Sequence, residues 1–265
     1  VQVIDRSAMT GDQDVTVAQS GSNLSLTIGG AGETVTLTQS KVWLYLGEGA
    51  GKTTIASLPA TDGFSLMVDA GNEIAVNASL SLAGASHLGL SAAAINIGST
   101  ATITAQSIDL RAVDWARVTL DAAAADPDGD GDNATLTAAT ATSATVTIDG
   151  TLTARETLDV SSFVSGTVRA HGVAGTDLRD ITVTQTNNST VTVAAGAKLS
   201  GEAVSLAADT RAAVALALTG VPIPNLLGLA EVDSNGIATE ISDAVLELTS
   251  LSDDLIAEIK KDGGG

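Results

Sequence analysis

The densest run of hard oxygen ligands in the sequence is DPDGDGDN at 126–133. Asp126, Asp128 and Asp130 stand at alternate positions, followed by Gly131, Asp132 and Asn133. Calcium takes about six to eight oxygens on a tightly turning backbone, and this spacing opens as an EF-hand loop does. The twelfth position, where such a loop carries a bidentate Glu, is Thr137. The segment therefore reads as a calcium-stiffened loop with Asp126, Asp128, Asp130, Asp132 and Asn133 as the metal-ligating set. The plainer reading is an exposed acidic turn. If calcium binds, its role is to stiffen a loop whose charges otherwise repel, not to catalyse.

The remaining candidates for chemistry are weaker. VWLYLGEGAGKTT at 42–54 looks like a strand, a glycine loop and a Lys-Thr pair. A phosphate-binding P-loop needs four residues between its first Gly and the Gly-Lys pair, and Gly47 to Gly51 leaves three. The next residues, IASLPATDGF, cannot form the helix whose N-terminus would hold phosphates. The run reads as a turn. His87 and His171 are the only histidines and advertise no matched ligand set or triad. Asp109, Arg111, Asp114 and Arg117 surround Trp115. A lyase or glycosidase built on a β-helix would place acids and an Arg on one face with aromatics to stack sugars. A salt-bridged loop explains the same cluster. No catalytic residue is assigned, and the chain reads as non-enzymatic.

Composition says what kind of scaffold must position such groups. Hydrophobic residues are 44% of the 265, which excludes wholesale disorder. Aromatics are only 2%, too little to fill a thick core, so the expected core is thin and aliphatic. The net charge of -19 argues against nucleic acid and anionic membranes as partners. It suits a chain that lives in salt or binds divalent cations. No cysteine is present, which excludes disulfides and thiolate sites. No window approaches ~18 uninterrupted apolar residues, so no membrane-spanning helix and no membrane insertion are expected. The opening VQVIDRSAM lacks a signal-peptide pattern, and the chain reads as a mature or excised piece of something longer.

Short runs with an apolar residue at every second position recur throughout. They include Leu24-Leu26-Ile28, Val35-Leu37, Leu44-Leu46, Leu66-Val68, Ile74-Val76, Leu88-Leu90, Ile95-Ile97, Ile108-Leu110, Val146-Ile148, Ile181-Val183 and Val204-Leu206. Period two marks half-buried strands. From about 74 to 120 the runs follow every ~7 residues, and similar phrases return after ~21–23 residues, as stacked repeats do. Three short strands and three turns per coil make a parallel β-helix over 1–218. The alternative all-β architecture is a β-sandwich tandem. Pro222, Pro224, Gly228 and Gly236 mark 219–236 as an interruption. Beyond it Ile237, Ile241, Val245, Leu248, Leu251, Leu255 and Ile259 recur at helical steps, which predicts a short C-terminal α-helix and tail over 237–265. Alternation around Val245-Glu247-Thr249 leaves one more strand pair as the other reading.

ASLSLAGASHLGLSAAAINIGSTATITAQSIDL and STVTVAAGAKLSGEAVSLAADTRAAVALAL resemble the repeat regions of large bacterial exoproteins and adhesins of the filamentous-haemagglutinin-like kind. The likeness covers roughly residues 12–218 and is one of rhythm and composition. It implies secretion to the cell surface, a right-handed parallel β-helix, and a structural or adhesive role without catalytic residues. Open sheet ends make self-association with other copies the first expected partner, and a cell-surface glycan or protein the second.

Overall fold

The computed structural model describes residues 1–121, 134–172, 178–218 and 246–248. Every regular element among them is a strand. In chain order these are β1 (Gln2–Asp5), β2 (Gln13–Ser20), β3 (Asn23–Ile28), β4 (Ala31–Val35), β5 (Lys41–Gly47) and β6 (Ala50–Ile55). There follow β7 (Ser65–Ala70), β8 (Glu73–Val76), β9 (Leu80–Ser81), β10 (His87–Ala92), β11 (Ala94–Ile97) and β12 (Thr102–Asp121). The last are β13 (Ala134–Ile148), β14 (Thr151–Gly172), β15 (Leu178–Val193), β16 (Lys198–Ser200), β17 (Ala203–Leu218) and β18 (Leu246–Leu248). They form two sheets. One runs β1-β5-β7-β10-β12-β14-β17-β18, with β9 on β12 and β16 on β14. The other runs β15-β13-β11-β8-β6-β2-β3-β4.

From β5 to β8 and again from β10 to β15 the chain alternates between the sheets, and the strands from β5 to β13 that share a sheet pair in parallel. Leu44 pairs with Val68, Val68 with Leu90, and Leu90 with Leu110. In the second sheet Ile55 pairs with Val76, Val76 with Ile97, and Ile97 with Ile148. Aliphatic residues therefore stack on aliphatic residues from strand to strand. Leu44, Leu66, Ile74, Leu88, Ile95 and Ile108 are fully or almost fully buried. A parallel register permits this with no bulky residue, because each inward side chain meets a like-sized neighbour one strand away. Phe64 is the one large aromatic in this core. The parallel pairing departs from the sandwich alternative, whose sheets are antiparallel.

The turns stack as the strands do. Gly71 N donates to Gly47 O and Ala93 N to Gly71 O at one set of corners. At another set Gly98 N donates to Val76 O, Asp149 N to Ile97 O and Ala194 N to Ile148 O. Backbone groups that a corner would otherwise strand thus find partners.

The start of the chain breaks the parallel pattern. β2, β3 and β4 form an antiparallel meander, although the β-helix expected over 1–218 places these residues in parallel coils. The reason lies in the connections. β3 and β4 are joined by Gly29-Gly30, both at positive φ (54° and 88°), the backbone that a two-residue hairpin requires. The Gln2 side chain then bonds the backbone of Thr36 and Thr38, and Arg6 pairs with Glu33 at 2.9 Å. β4 ends at Val35, so Leu37 lies outside the expected strand.

Five strands are long, and the chain divides into two compact units whose boundaries fall within them. One unit holds Val1–Asp114, Ser143–Phe163 and Ser189–Asp209; its interior is aliphatic. The other holds Trp115–Thr142, Val164–Asn188 and Thr210–Gly265. Its buried positions include Thr140, Thr142, Gln185 and Asn187. Thr142 Oγ1 donates to Asn187 Oδ1 at 2.6 Å. Gly166 leaves the room that Asn187 occupies, since a Cβ there would lie 2.8 Å from Oδ1.

Three further expectations change. Val204 and Leu206 lie on β17 as expected, but they are 45% and 50% exposed and not inward. The turn within GEGAGK is confined to Glu48-Gly49; Lys52 lies in β6 and pairs with Glu73 at 3.0 Å. Leu246–Leu248, within the segment whose spacing predicts helix, is a strand paired with Leu216, Ala217 and Leu218. The rest of 237–265 and the interruption at 219–236 lie outside the described residues.

Candidate functional site

The outward face of the first sheet brings Trp43 and Tyr45 together with several charged side chains. Strand alternation turns Lys41, Trp43 and Tyr45 outward on β5 while Val42, Leu44 and Leu46 are buried. The parallel register carries this parity across the sheet and builds three rows. The first holds Lys41, Ser65, His87 and Ser107. The second holds Val3, Trp43, Met67, Gly89 and Asp109. The third holds Asp5, Tyr45, Asp69, Ser91 and Arg111. Trp43, Tyr45 and Met67 are 42%, 38% and 47% exposed.

Gly89 keeps the middle of this face low. A Cβ there would lie 3.2 Å from His87 Nε2 and 3.3 Å from Met67 Cγ, so both side chains lean across the glycine. The backbone N of His87 is held by Ser65 Oγ at 3.0 Å.

Two carboxylates on the face are partly stripped of water. Burial pushes the Asp69 carboxyl above its ordinary value. Burial also raises Asp109, where the nearby charges of His87 and Arg111 pull down and that of Asp159 pushes up. Neither acid makes a salt bridge among the described residues. The arrangement offers π faces for stacking, carboxylate oxygens as acceptors, and one imidazole and one guanidinium as donors.

The sequence cluster Asp109, Arg111, Asp114, Arg117 and Trp115 is only partly brought together. Asp109 and Arg111 share the outward face. Asp114 instead accepts the backbone N of Ser143 through Oδ2 at 2.8 Å, so it ties the middle of β12 to the middle of β13. Trp115 and Arg117 belong to the other compact unit. Sequence reasoning missed Trp43, Tyr45, Met67, Asp69 and Asp159, because they are far apart in sequence and only the register aligns them. Trp43 and Tyr45 at i and i+2 between buried aliphatics were the available signal.

A shallow depression of about 360 Å³ elsewhere on the same unit is lined by Gly84, Ala85, Gln106, Arg155, Glu156 and Glu202. Its Arg155 is committed to the carbonyls of Gly84 and Leu82, and Gln106 donates to Glu156. These bonds fix a loop against the sheet. Asp126, Asp128, Asp130, Asp132 and Asn133, the expected calcium ligands, lie outside the described residues. Among the described residues no group of three or more His, Asp and Glu is placed to hold a metal ion, and no helix is long and apolar enough to cross a membrane. Comparison with family models, curated proteins and solved structures finds no match to this chain.

Proposed function

We propose that the chain is a segment of a large secreted bacterial surface or extracellular-filament protein, with a structural or adhesive role and no catalytic one. In this reading the two parallel sheets are the walls of a right-handed β-helix, the hand that parallel crossovers almost always take. The observation that carries it is the register. The chain lays like residue on like residue in both sheets, and its turns stack with its strands. Such a scaffold grows by adding coils and needs no active site to justify its form.

Self-association belongs to the same reading. Val193 on the end strand β15, and Val204 and Leu206 on the part of β17 that β18 does not pair with, are exposed, and another copy would find apolar surface and strand edges there. Calcium held by Asp126, Asp128, Asp130, Asp132 and Asn133 is proposed on their spacing, as a stiffener. Sedimentation velocity over a wide concentration range tests the association, with assays for released reducing ends from neutral and acidic polysaccharides alongside. The expected result is concentration-dependent assembly that Leu206→Asp abolishes, with no release. A strict monomer that shortens a polysaccharide would overturn the reading. It would favour a carbohydrate-active β-helix enzyme, to which Asp109, Asp159, His87 and Arg111 on one face would then belong.

A further inference from the structure

The chain has two Trp, one Tyr and two Phe in 265 residues, and its core does almost entirely without them. Yet Trp43 and the only Tyr stand side by side on one strand, both turned outward. Aromatic side chains bury more apolar area than any others, and a fold this short of them would gain most by putting them inside. Their place on the outside calls for a partner.

The pattern around them says what kind. A protein-protein interface has an apolar centre with charge pushed to the rim. Here charge and aromatic surface alternate at the level of single residues. Trp43 is followed across the sheet by Met67, Gly89 and Asp109, and Tyr45 by Asp69, Ser91 and Arg111. A sugar ring presents the matching mixture, a C–H face for stacking and equatorial hydroxyls at its edge. The rows are about 7 Å apart and neighbouring strands about 4.8 Å. Four strands thus make a platform long enough for a short oligosaccharide. Gly89 keeps its centre flat by letting Met67 and His87 lie across the strand.

Charge narrows the class. Asp69, Asp109 and Asp159 face Lys41, His87 and Arg111 on this side, and the whole chain carries -19. An acidic polymer is repelled at long range. We propose that the outward face of β5, β7, β10 and β12 binds a neutral polysaccharide, with Trp43 and Tyr45 stacking on sugar rings and Asp69, Asp109 and Arg111 bonding its hydroxyls. The desolvation of the two carboxylates supports this, because acceptors already stripped of part of their water lose less on contact.

The proposal rests on the adhesive reading and deepens it. Its test is Trp fluorescence of the full chain carrying Trp115→Phe, which leaves Trp43 as the only Trp; Trp115 is exposed and in the other unit. The probes are cellohexaose, chitohexaose and, as the acidic comparison, hexagalacturonate. A saturable change with a neutral hexasaccharide is expected. Tyr45→Ala and Asp109→Asn should each weaken it about tenfold or more, and Gly89→Val, which lifts Met67 and His87, should abolish it. Asp109→Asn removes charge without adding bulk, so the test stands if Gly89→Val fails to fold. Silence of Trp43 toward both neutral probes overturns the inference, as does equal response to hexagalacturonate. So does a dimer that Trp43→Ala dissociates, which would make this a protein-protein surface. Assembly through Leu206 with a silent Trp43 sinks this inference alone; loss of both sinks the adhesive reading as well.

Discussion

Replacing Gly150 by alanine tests whether the turns stack one on another. Gly150 is buried between β13 and β14, and a Cβ there would lie 2.6 Å from the carbonyl oxygens of both Gly98 and Ala101. Neither neighbour is a flexible side chain, so relief requires the stacked turns to part. That motion strains the bonds from Asp149 N to Ile97 O, from Thr151 N to Ala101 O and from Lys198 N to Gly150 O. Overpacking costs roughly 1–3 kcal/mol. One or two weakened backbone bonds add about 0.5–1.5 kcal/mol each. A total of about 3 kcal/mol lowers Tm by roughly 6–12 °C for a chain of this size. Gly196→Ala is the control, because Gly196 sits at φ 98° in open space and carries only the backbone penalty of roughly 1–2 kcal/mol. Thermal unfolding followed by circular dichroism measures both. If Gly150→Ala melts no lower than Gly196→Ala, the turns do not stack in this way.

The parity of the strands predicts opposite outcomes for adjacent residues. Leu66→Ala removes a fully buried side chain and should cost about 2–5 kcal/mol in urea unfolding. Met67→Ala, on the exposed side, should cost under about 1 kcal/mol. The raised carboxyls of Asp69 and Asp109 fix the sign of a pH effect. The folded chain holds their protons to higher pH than the unfolded chain does, so stability falls as pH rises from the ordinary value of 3.8 through the raised one. Asp69→Asn and Asp109→Asn should therefore raise Tm at neutral pH and confer no gain well below pH 3.8; a loss at pH 7 would contradict the burial argument. Asn187→Ala leaves Thr142 without its acceptor and should destabilise the second unit by about 1–3 kcal/mol, read as faster amide exchange at 134–142 and 178–188 and not at 65–97. For the acidic loop, melting in calcium should exceed melting in chelator, and Asp128→Asn should remove the difference.

Period-two alternation is enough to place most strands, because buried Val, Leu and Ile stand at every second position in β5, β7 and β11. The return of similar phrases after ~21–23 residues foreshadows the pairing of Leu66 with Leu88 and Ile74 with Ile95. Alternation carries no information about strand direction, however, and so the meander of β2, β3 and β4 looks like coils in the sequence. The Gly29-Gly30 pair is the legible signal for it. Counting only apolar residues as inward also hides the continuity of β13 and β15, whose buried positions include Thr140, Thr142, Gln185 and Asn187. The outward face is the least legible feature. Trp43, Met67 and Asp109 are neighbours only through the register, which no local pattern contains.

The same strands carry two different interiors. In the first unit the inward residues of β12, β13 and β14 include Ile108, Leu110, Val146, Ile148, Leu158 and Val160. Each buried aliphatic of that size contributes about 1.5–3 kcal/mol of transfer free energy. In the second unit the inward residues include Ala138, Thr140, Thr142, Gln185 and Asn187. Val164 and Val168 are buried there too, and among the polar residues Thr142 and Asn187 share a hydrogen bond, whose net worth is about 1 kcal/mol. The contrast assigns different tasks to the two interiors. Stacked aliphatics tolerate many like-for-like exchanges, because transfer free energy is not directional. Thr142 and Asn187 must meet in one geometry, and Gly166 must leave them room. Register in the first unit is thus held by repetition, whereas in the second the Thr142–Asn187 contact adds a polar constraint that a shift of one residue would break.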